Sequence, residues 1–403
     1  MTIIPSPNYR KKLVLVSGGA FHIFHDGIAD GLAVLLPFWH IAFGLSLTQV
    51  GLLASCYYGV TGIFQIPAGF LSERFGERAL LVWGTLITAI AFMCLGVAAG
   101  VFSLVLFLIV GGAGAAVQHP LASSMISKAY EGNGRRIALG TYNFSGDIGK
   151  FLFPIMAALT LPTIGWRSVC TGFGFFGCIL AVILYVMLRK LDLGGAAVFE
   201  KVKKTSFNIT DWGIVNKGAF STLSVIGFID TATRAALVTF GPFLFIQKGI
   251  QVESVGFALS LLFIGGAVGK FICGVLAERI GIIATVVITE TITGGGIILL
   301  TILPLSYLYF FLPVLGAALN GTSSVLYGTV ADFVDPSRIG RTFGLFYTFV
   351  EVAGAVTPPI MGVVSDRLGV EDSIRLLGWI ALTTVPMALF LSKQMARRSG
   401  NSG

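Results

Sequence analysis

Charge is what this sequence has least of. Of its 403 residues only 11% are Asp, Glu, Lys or Arg. An ordinary soluble domain carries about 25%, so a pair of soluble domains is excluded. The five cysteines, Cys56, Cys94, Cys170, Cys178 and Cys273, stand singly inside apolar runs. They show neither zinc-ligand spacing nor a disulfide framework, and read as small packing residues. Catalytic signatures are missing too: no P-loop, no G-x-S-x-G and no H-E-x-x-H. ATP drive is therefore not expected, nor enzyme activity, and no cofactor is implied. Gly294-Gly295-Gly296 lies inside an apolar run, where close packing explains it better than phosphate binding.

What is abundant is apolar length. Runs of about 20 residues, each able to cross a bilayer, recur along the whole chain. We place spans near 13–37, 47–69, 79–99, 102–126, 137–160, 168–188, 214–246, 254–276, 282–303, 306–331, 342–363 and 373–392. Twelve spans put both termini on one side. That side collects twenty Lys and Arg, among them Arg10, Lys11, Lys12, Arg135, Arg136, Lys203 and Lys204, against four (Arg167, Lys248, Arg367, Arg375) opposite and three inside. The positive-inside rule makes the termini cytoplasmic and the compartment a cell (inner) membrane. The net charge of +8 thus reports topology and not a nucleic-acid partner. The first run carries His22, His25, Asp26 and Asp30, is long for a signal peptide, and reads as a retained first helix. Lipid and a small-molecule substrate are the expected partners, and a monomer is expected.

The polar stretch 189–213 divides the chain into an N-terminal six-helix half, 1–188, and a C-terminal one, 214–403. The halves repeat each other. Gly69-Phe70-Leu71-Ser72-Glu73-Arg74-Phe75-Gly76 matches Gly274-Val275-Leu276-Ala277-Glu278-Arg279-Ile280-Gly281 at an offset of 205. Asp26 aligns with Asp230, Gly112 with Gly316, Asp147 with Glu351 and Pro154 with Pro358, each at 204. The fold class expected is all-α integral membrane, twelve transmembrane helices in two pseudo-symmetric halves, as in transporters built from parallel repeats. Within the loop motif, glycines allow a tight turn and the acid–base pair sits at helix ends.

The duplicated G-x-L-x-E-R-x-G resembles the loop signature of the major facilitator superfamily, which more often has Asp at the places of Glu73 and Glu278. The resemblance implies gating roles for Gly69, Glu73, Arg74, Gly76, Gly274, Glu278, Arg279 and Gly281. A narrower resemblance runs through His22-x-x-x-Asp26, Pro37, Leu45-Ser46-Leu47-Thr48-Gln49-Val50-Gly51 and His119-Pro120. These residues look like the fosmidomycin-resistance branch, which implies proton-driven efflux at the inner membrane. The fifth span departs from that branch: Asp147 and Lys150 stand where it tends to have small or amide residues.

Ionisable groups at the bilayer centre cost roughly 2.5–3.5 kcal/mol on insertion scales, so they face the bundle interior and serve function. His22, Asp26 and Asp30 share one helical stripe; Asp147 and Lys150 are neighbours, as are Asp230 and Arg234. Six acids (Asp26, Asp30, Asp147, Asp230, Glu290, Glu351) stand against three bases (Lys150, Arg234, Lys270). Burying that excess is opposed, so some carboxyls are expected to hold protons. Proton coupling is assigned to Asp26, with His22, Asp30, Asp230 and Glu351. Asp26 is taken to be buried without a local base, since its own helix offers none at neighbouring spacing, with His22 as its hydrogen-bonding partner.

Substrate contact is assigned to Asp147, Lys150, Arg234, His119 and His25. Each has a plainer alternative: Asp147–Lys150 and Asp230–Arg234 as structural ion pairs, His25 as a packed histidine, His119 as partner of a carbonyl freed by Pro120. No resident metal is expected, since lone histidines on helices rarely converge. The function expected is a proton-coupled efflux antiporter exporting a small organic compound or drug, anionic ones included. The alternatives are a symporter importing a small anionic metabolite and a metal or metal-chelate carrier.

Overall fold

A computed structural model describes residues 7–130, 132–190, 193–195, 212–335 and 339–400. The helices are α1 (Pro7–Phe43), α2 (Leu47–Phe75), α3 (Glu77–Leu95), α4 (Val101–Ala115), α5 (Gln118–Ala129) and α6 (Gly132–Lys190). Then come α7 (Lys217–Gln247), α8 (Val255–Ile280), α9 (Ile282–Ile302), α10 (Leu305–Thr329), α11 (Ile339–Leu368), α12 (Val370–Leu382) and α13 (Thr384–Gly400). Apart from an isolated bridge between Ile214 and Val334, no strand occurs among the described residues. In a bilayer only helices or closed barrels satisfy every backbone group, so an all-α fold is the expected solution.

Eleven helical stretches among the described residues are long and apolar enough to cross a membrane. One of them, 137–190, has 54 residues, and at about 1.5 Å per residue it exceeds two bilayer cores of about 30 Å. It leaves helical geometry at Gly165 (φ 71, ψ 163) and so supplies the fifth and sixth spans, giving twelve. Two spans are themselves broken. The fourth is interrupted between Ala115 and Gln118, the twelfth at Thr383. In both, a proline (Pro120, Pro386) stands in the first turn of the following helix, where its missing N–H costs nothing.

The described chain forms two compact units: Met1–Gly44 with Leu53–Val202, and Leu45–Leu52 with Lys203–Gly403. Most of the expected linker, 191–192 and 196–211, lies outside the described residues. Each unit has its own core. Phe21, Leu81, Ile126, Tyr142 and Leu184 fill the first, and Phe220, Val286, Leu326, Phe346 and Leu391 the second.

The internal repeat extends to backbone geometry. Gly44, Gly76 and Gly165 have φ of 60°, 78° and 71°; Gly249, Gly281 and Gly369, 205, 205 and 204 positions later, have 101°, 89° and 87°. A left-handed residue closes the same three turns in each unit, and glycine takes that conformation without strain. Close helix contacts repeat as well. A Cβ at Gly112 would lie 2.5 Å from the Tyr57 carbonyl, and one at Gly316 would strike the carbonyl of Leu262. Lipid gives helices no hydrophobic reason to associate, so such small-residue contacts carry the packing. Outward-facing aromatics do the opposite: Phe102 and Phe310 are 83% and 82% exposed, as side chains solvated by acyl chains would be.

Candidate functional site

The first unit gathers its buried ionisable groups in one place. α1 lays His22, Asp26 and Asp30 along a single stripe, all of them buried. α6 faces that stripe with Tyr142, Gly146, Asp147 and Lys150, and α5 brings Gln118 and His119 to its edge. The close approach rests on two glycines. A Cβ on Gly146 would lie 2.6 Å from His22 Cε1 and 2.7 Å from Asp26 Oδ2, and one on Gly149 would strike the Ile23 carbonyl.

His22 is held at both nitrogens. Nδ1 lies 2.7 Å from the Tyr142 carbonyl oxygen, and its ring stacks on the Tyr142 ring with centroids 4.2 Å apart. A carbonyl only accepts, so Nδ1 donates. Nε2 then faces Asp26 Oδ2 at 3.1 Å. Two acceptors do not hold each other at that distance. The contact is a hydrogen bond only with a further proton on the pair, whether as imidazolium–carboxylate or as imidazole–carboxylic acid.

Asp26 has more basic company than its own helix offers. Lys150 Nζ lies 3.4 Å from Asp26 Oδ2, and His119 Nε2 lies 3.4 Å from Asp26 Oδ1. This corrects the expectation of an acid buried without a base: α6 supplies the base across the helix gap. Lys150 also reaches Asp30 Oδ2 at 3.8 Å and Asp147 Oδ1 at 4.0 Å. Its expected pairing with Asp147 is the longest of the three, so the lysine is shared among carboxylates of two helices. Asp30 and Asp147 are both buried, whereas the His119 side chain is 48% exposed and forms the open edge. Tyr142 Oη accepts a hydrogen bond from Gln118 Nε2 at 3.0 Å, which fixes the platform under His22.

His25 stands apart from this cluster. Thr85 Oγ1 gives its only hydrogen to the Leu81 carbonyl at 2.7 Å, so His25 Nε2 must donate to it at 2.9 Å. The ring ties α1 to α3, and its Nδ1 has no partner.

The histidines do converge, contrary to the sequence expectation. His22, Asp26 and His119 each bring a possible ligand atom within 4.8 Å of the others. A dication there would meet the Lys150 ammonium on the same carboxylate, so the cluster suits protons and a lysine better.

In the second unit the repeat has diverged. Asp230, aligned with Asp26, is buried, but the side chain acting on it from another helix is an acid, Glu290 of α9. Arg234 lies one turn further along α7 and is partly buried. Glu351 on α11 is exposed, unlike its aligned mate Asp147, and shares with Arg234 the surroundings of Tyr327.

At the duplicated loop, Gly76 and Gly281 form the left-handed turns, while a Cβ on Gly69 or Gly274 would meet nothing within 4 Å. Arg74 is exposed, its guanidinium carbon 5.3 Å from the Phe75 ring centroid; Glu278 and Arg279 are exposed too. The Glu73 side chain lies outside the described residues. The buried acid here is Glu77, which the sequence reading passed over. Ser124 Oγ donates to it at 3.0 Å, and Lys128 forms an ion pair with it. Its position in the first turn of α3, where an acid complements the helix dipole, was the available signal. Tyr142 and Gly146 were also missed, and Glu290 was counted among the buried acids without being given a role. Its position inside an apolar run was the cue that it shares with the other acids.

An all-helical, twelve-span chain with a buried cluster of acids, a lysine and histidines has the architecture of a small-molecule carrier. The chain belongs to the Major Facilitator Superfamily, whose family profile matches residues 17–350 and 223–402. It is 22% identical over 369 residues to the "Fosmidomycin resistance protein" of Escherichia coli (strain K12), covering 90% of this chain and 88% of that one. It is also 22% identical over 386 residues to the "Hexuronate transporter" of Bacillus subtilis (strain 168), covering 86% of each. Among solved structures, a bacterial homologue of the human lysosomal transporter Spinster, inward-facing and unoccupied, matches with a TM-score of 0.79 at 18% identity. That match covers 96% of this chain and 98% of that one, and shows the fold.

Proposed function

We propose that the protein is a proton-coupled carrier of a small organic anion, with the Asp26 cluster as its coupling site. One observation carries the reading: Lys150 Nζ lies 3.4 Å from an Asp26 carboxylate whose same oxygen lies 3.1 Å from His22 Nε2. While Asp26 is ionised it occupies the ammonium. Protonating Asp26 removes that competitor and leaves Lys150 to receive an anionic group, with the half-exposed His119 beside it. Proton and anion then favour each other's binding, and the coupling is reciprocal. Such linkage suits symport, the import of an acidic metabolite. The relative named for hexuronate, a sugar carboxylate, supports that cargo class.

A second reading is efflux by antiport. The relative named for fosmidomycin resistance, similar over 90% of this chain, supports it. Both readings place the protein in a cell (inner) membrane with cytoplasmic termini, on the Lys and Arg distribution. His22, Asp30, Asp230 and Glu351 assist proton movement, and Asp147, Arg234 and His25 shape or support the cavity.

Purified protein in proteoliposomes separates the possibilities. Small carboxylates including hexuronates, and fosmidomycin, are added outside without a pH gradient. External alkalinisation on adding a substrate marks symport, and acidification marks antiport. If no tested compound moves protons, while substrate exchange proceeds, the proton-coupled reading fails.

A further inference from the structure

Glu290 takes no part in the Asp26 cluster, and no motif called for it. It sits inside the apolar 21-residue α9 and is 1% exposed; Asp230 of α7, facing it, is 3% exposed. The two carboxyl groups act directly on each other. A carboxylate has no hydrogen to give, so two neighbouring buried carboxyl groups cannot satisfy each other while both are ionised, and one proton on the pair removes the conflict.

The surroundings do not supply hydrogens in its place. Thr384 Oγ1 on α13 lies 2.9 Å from Glu290 Oε2 but 2.6 Å from the Ala381 carbonyl, and its hydroxyl has a single hydrogen. Thr322 on α10 reaches Glu290 as well, yet already donates to the Ala318 carbonyl at 3.0 Å. Asp230 Oδ1 and Glu290 Oε1 are sealed from solvent with no N–H or O–H partner. The charged group acting on Asp230 from α7 itself is Arg234, one turn away. From α10, Tyr327 lies within electrostatic reach of Asp230 and Arg234, and of Glu351 on α11. Two ionised carboxylates in such a place would be buried charges without enough partners, the arrangement least tolerated at membrane depth.

We infer that Asp230 and Glu290 form a carboxyl–carboxyl pair that binds one proton within the second unit, separate from the Asp26 cluster. The pair keeps its proton while Arg234 is engaged elsewhere, and releases it when the guanidinium turns to Asp230. An anion drawing Arg234 away therefore strengthens proton binding; this last link rests on the proposed anionic cargo, whereas the pair itself does not.

Infrared spectroscopy of the purified full chain tests the pair without any substrate, so its outcome is independent of the transport reading. The readout is the C=O stretch of a protonated carboxyl at neutral pH, recognised by its shift in D2O. The wild type should show it. Asp230→Asn and Glu290→Gln should each lose that component, because an amide N–H donates to the remaining carboxylate and no shared proton is needed. Thermal melting checks that each variant is folded, and should one fail to fold, the other decides. A wild type without the band, or a band undiminished in a folded variant, overturns the inference.

Discussion

Gly146 of α6 faces His22 of α1 across a gap that no side chain can enter: a Cβ there would strike Nε2 of the ring and lie 2.6 Å from its Cε1. The proton-sharing geometry of His22 and Asp26 therefore depends on a residue with no chemistry of its own. Gly146→Ala should push the ring off the Tyr142 carbonyl or the carboxylate off the ring. Overpacking of this kind costs about 1–3 kcal/mol. The expected result is a folded, less stable carrier whose pH-gradient-driven flux falls far more than its substrate exchange. Equal loss of both, or of neither, in paired liposome assays would contradict it.

Asp26→Asn mimics the protonated acid and keeps a side chain of the same shape. It should fold, bind substrate, and exchange substrate for substrate, while uphill transport driven by a pH gradient disappears. Were Asp26 only a polar packing contact, the variant would transport nearly as well as the original. Near-normal gradient-driven flux in the purified variant would falsify the coupling role.

Lys150 lies nearer to Asp26 than to Asp147 on its own helix, 3.4 Å against 4.0 Å. Lys150→Met removes the fixed cation from three carboxylates and from any anionic cargo. A hydrogen bond to a charged group is worth about 1.5–3 kcal/mol, so affinity for an anionic substrate should fall roughly 10- to 150-fold. Calorimetric titration showing unchanged affinity would remove Lys150 from the substrate site.

Arg74, Glu278 and Arg279 of the duplicated loop are exposed charges at helix ends, far from the Asp26 cluster in sequence. Neutralising Glu278 and Arg279, or Glu73 and Arg74, should alter a conformational equilibrium by about 0.3–1 kcal/mol, roughly two- to five-fold in rate. Equilibrium substrate binding should stay close to normal. Large loss of affinity with the rate preserved would reverse the assignment.

Topology offers a check on the Lys and Arg count. Single cysteines introduced between 196 and 211 should react with an impermeant label only from the cytoplasmic face. Labelling from outside alone would invert the arrangement.

The sequence by itself determined the class of this protein. Apolar length is a local property, so the spans were legible from runs of residues. The repeat was legible because duplication preserves spacing, and the left-handed Gly76 and Gly281 sit where the motif copies predict a tight turn. The stripe of His22, Asp26 and Asp30 followed from helical periodicity alone. Which groups meet across helices was decided only by the tertiary structure, since that depends on how closely backbones approach. Gly146 brings α6 near enough for Lys150 to reach Asp26, whereas the aligned Asp230 meets an acid, Glu290, from the neighbouring helix and a base only from its own. Periodicity fixes a residue's face on its own helix. The partner on the next helix is set by packing between segments far apart in the chain, and no local pattern encodes it.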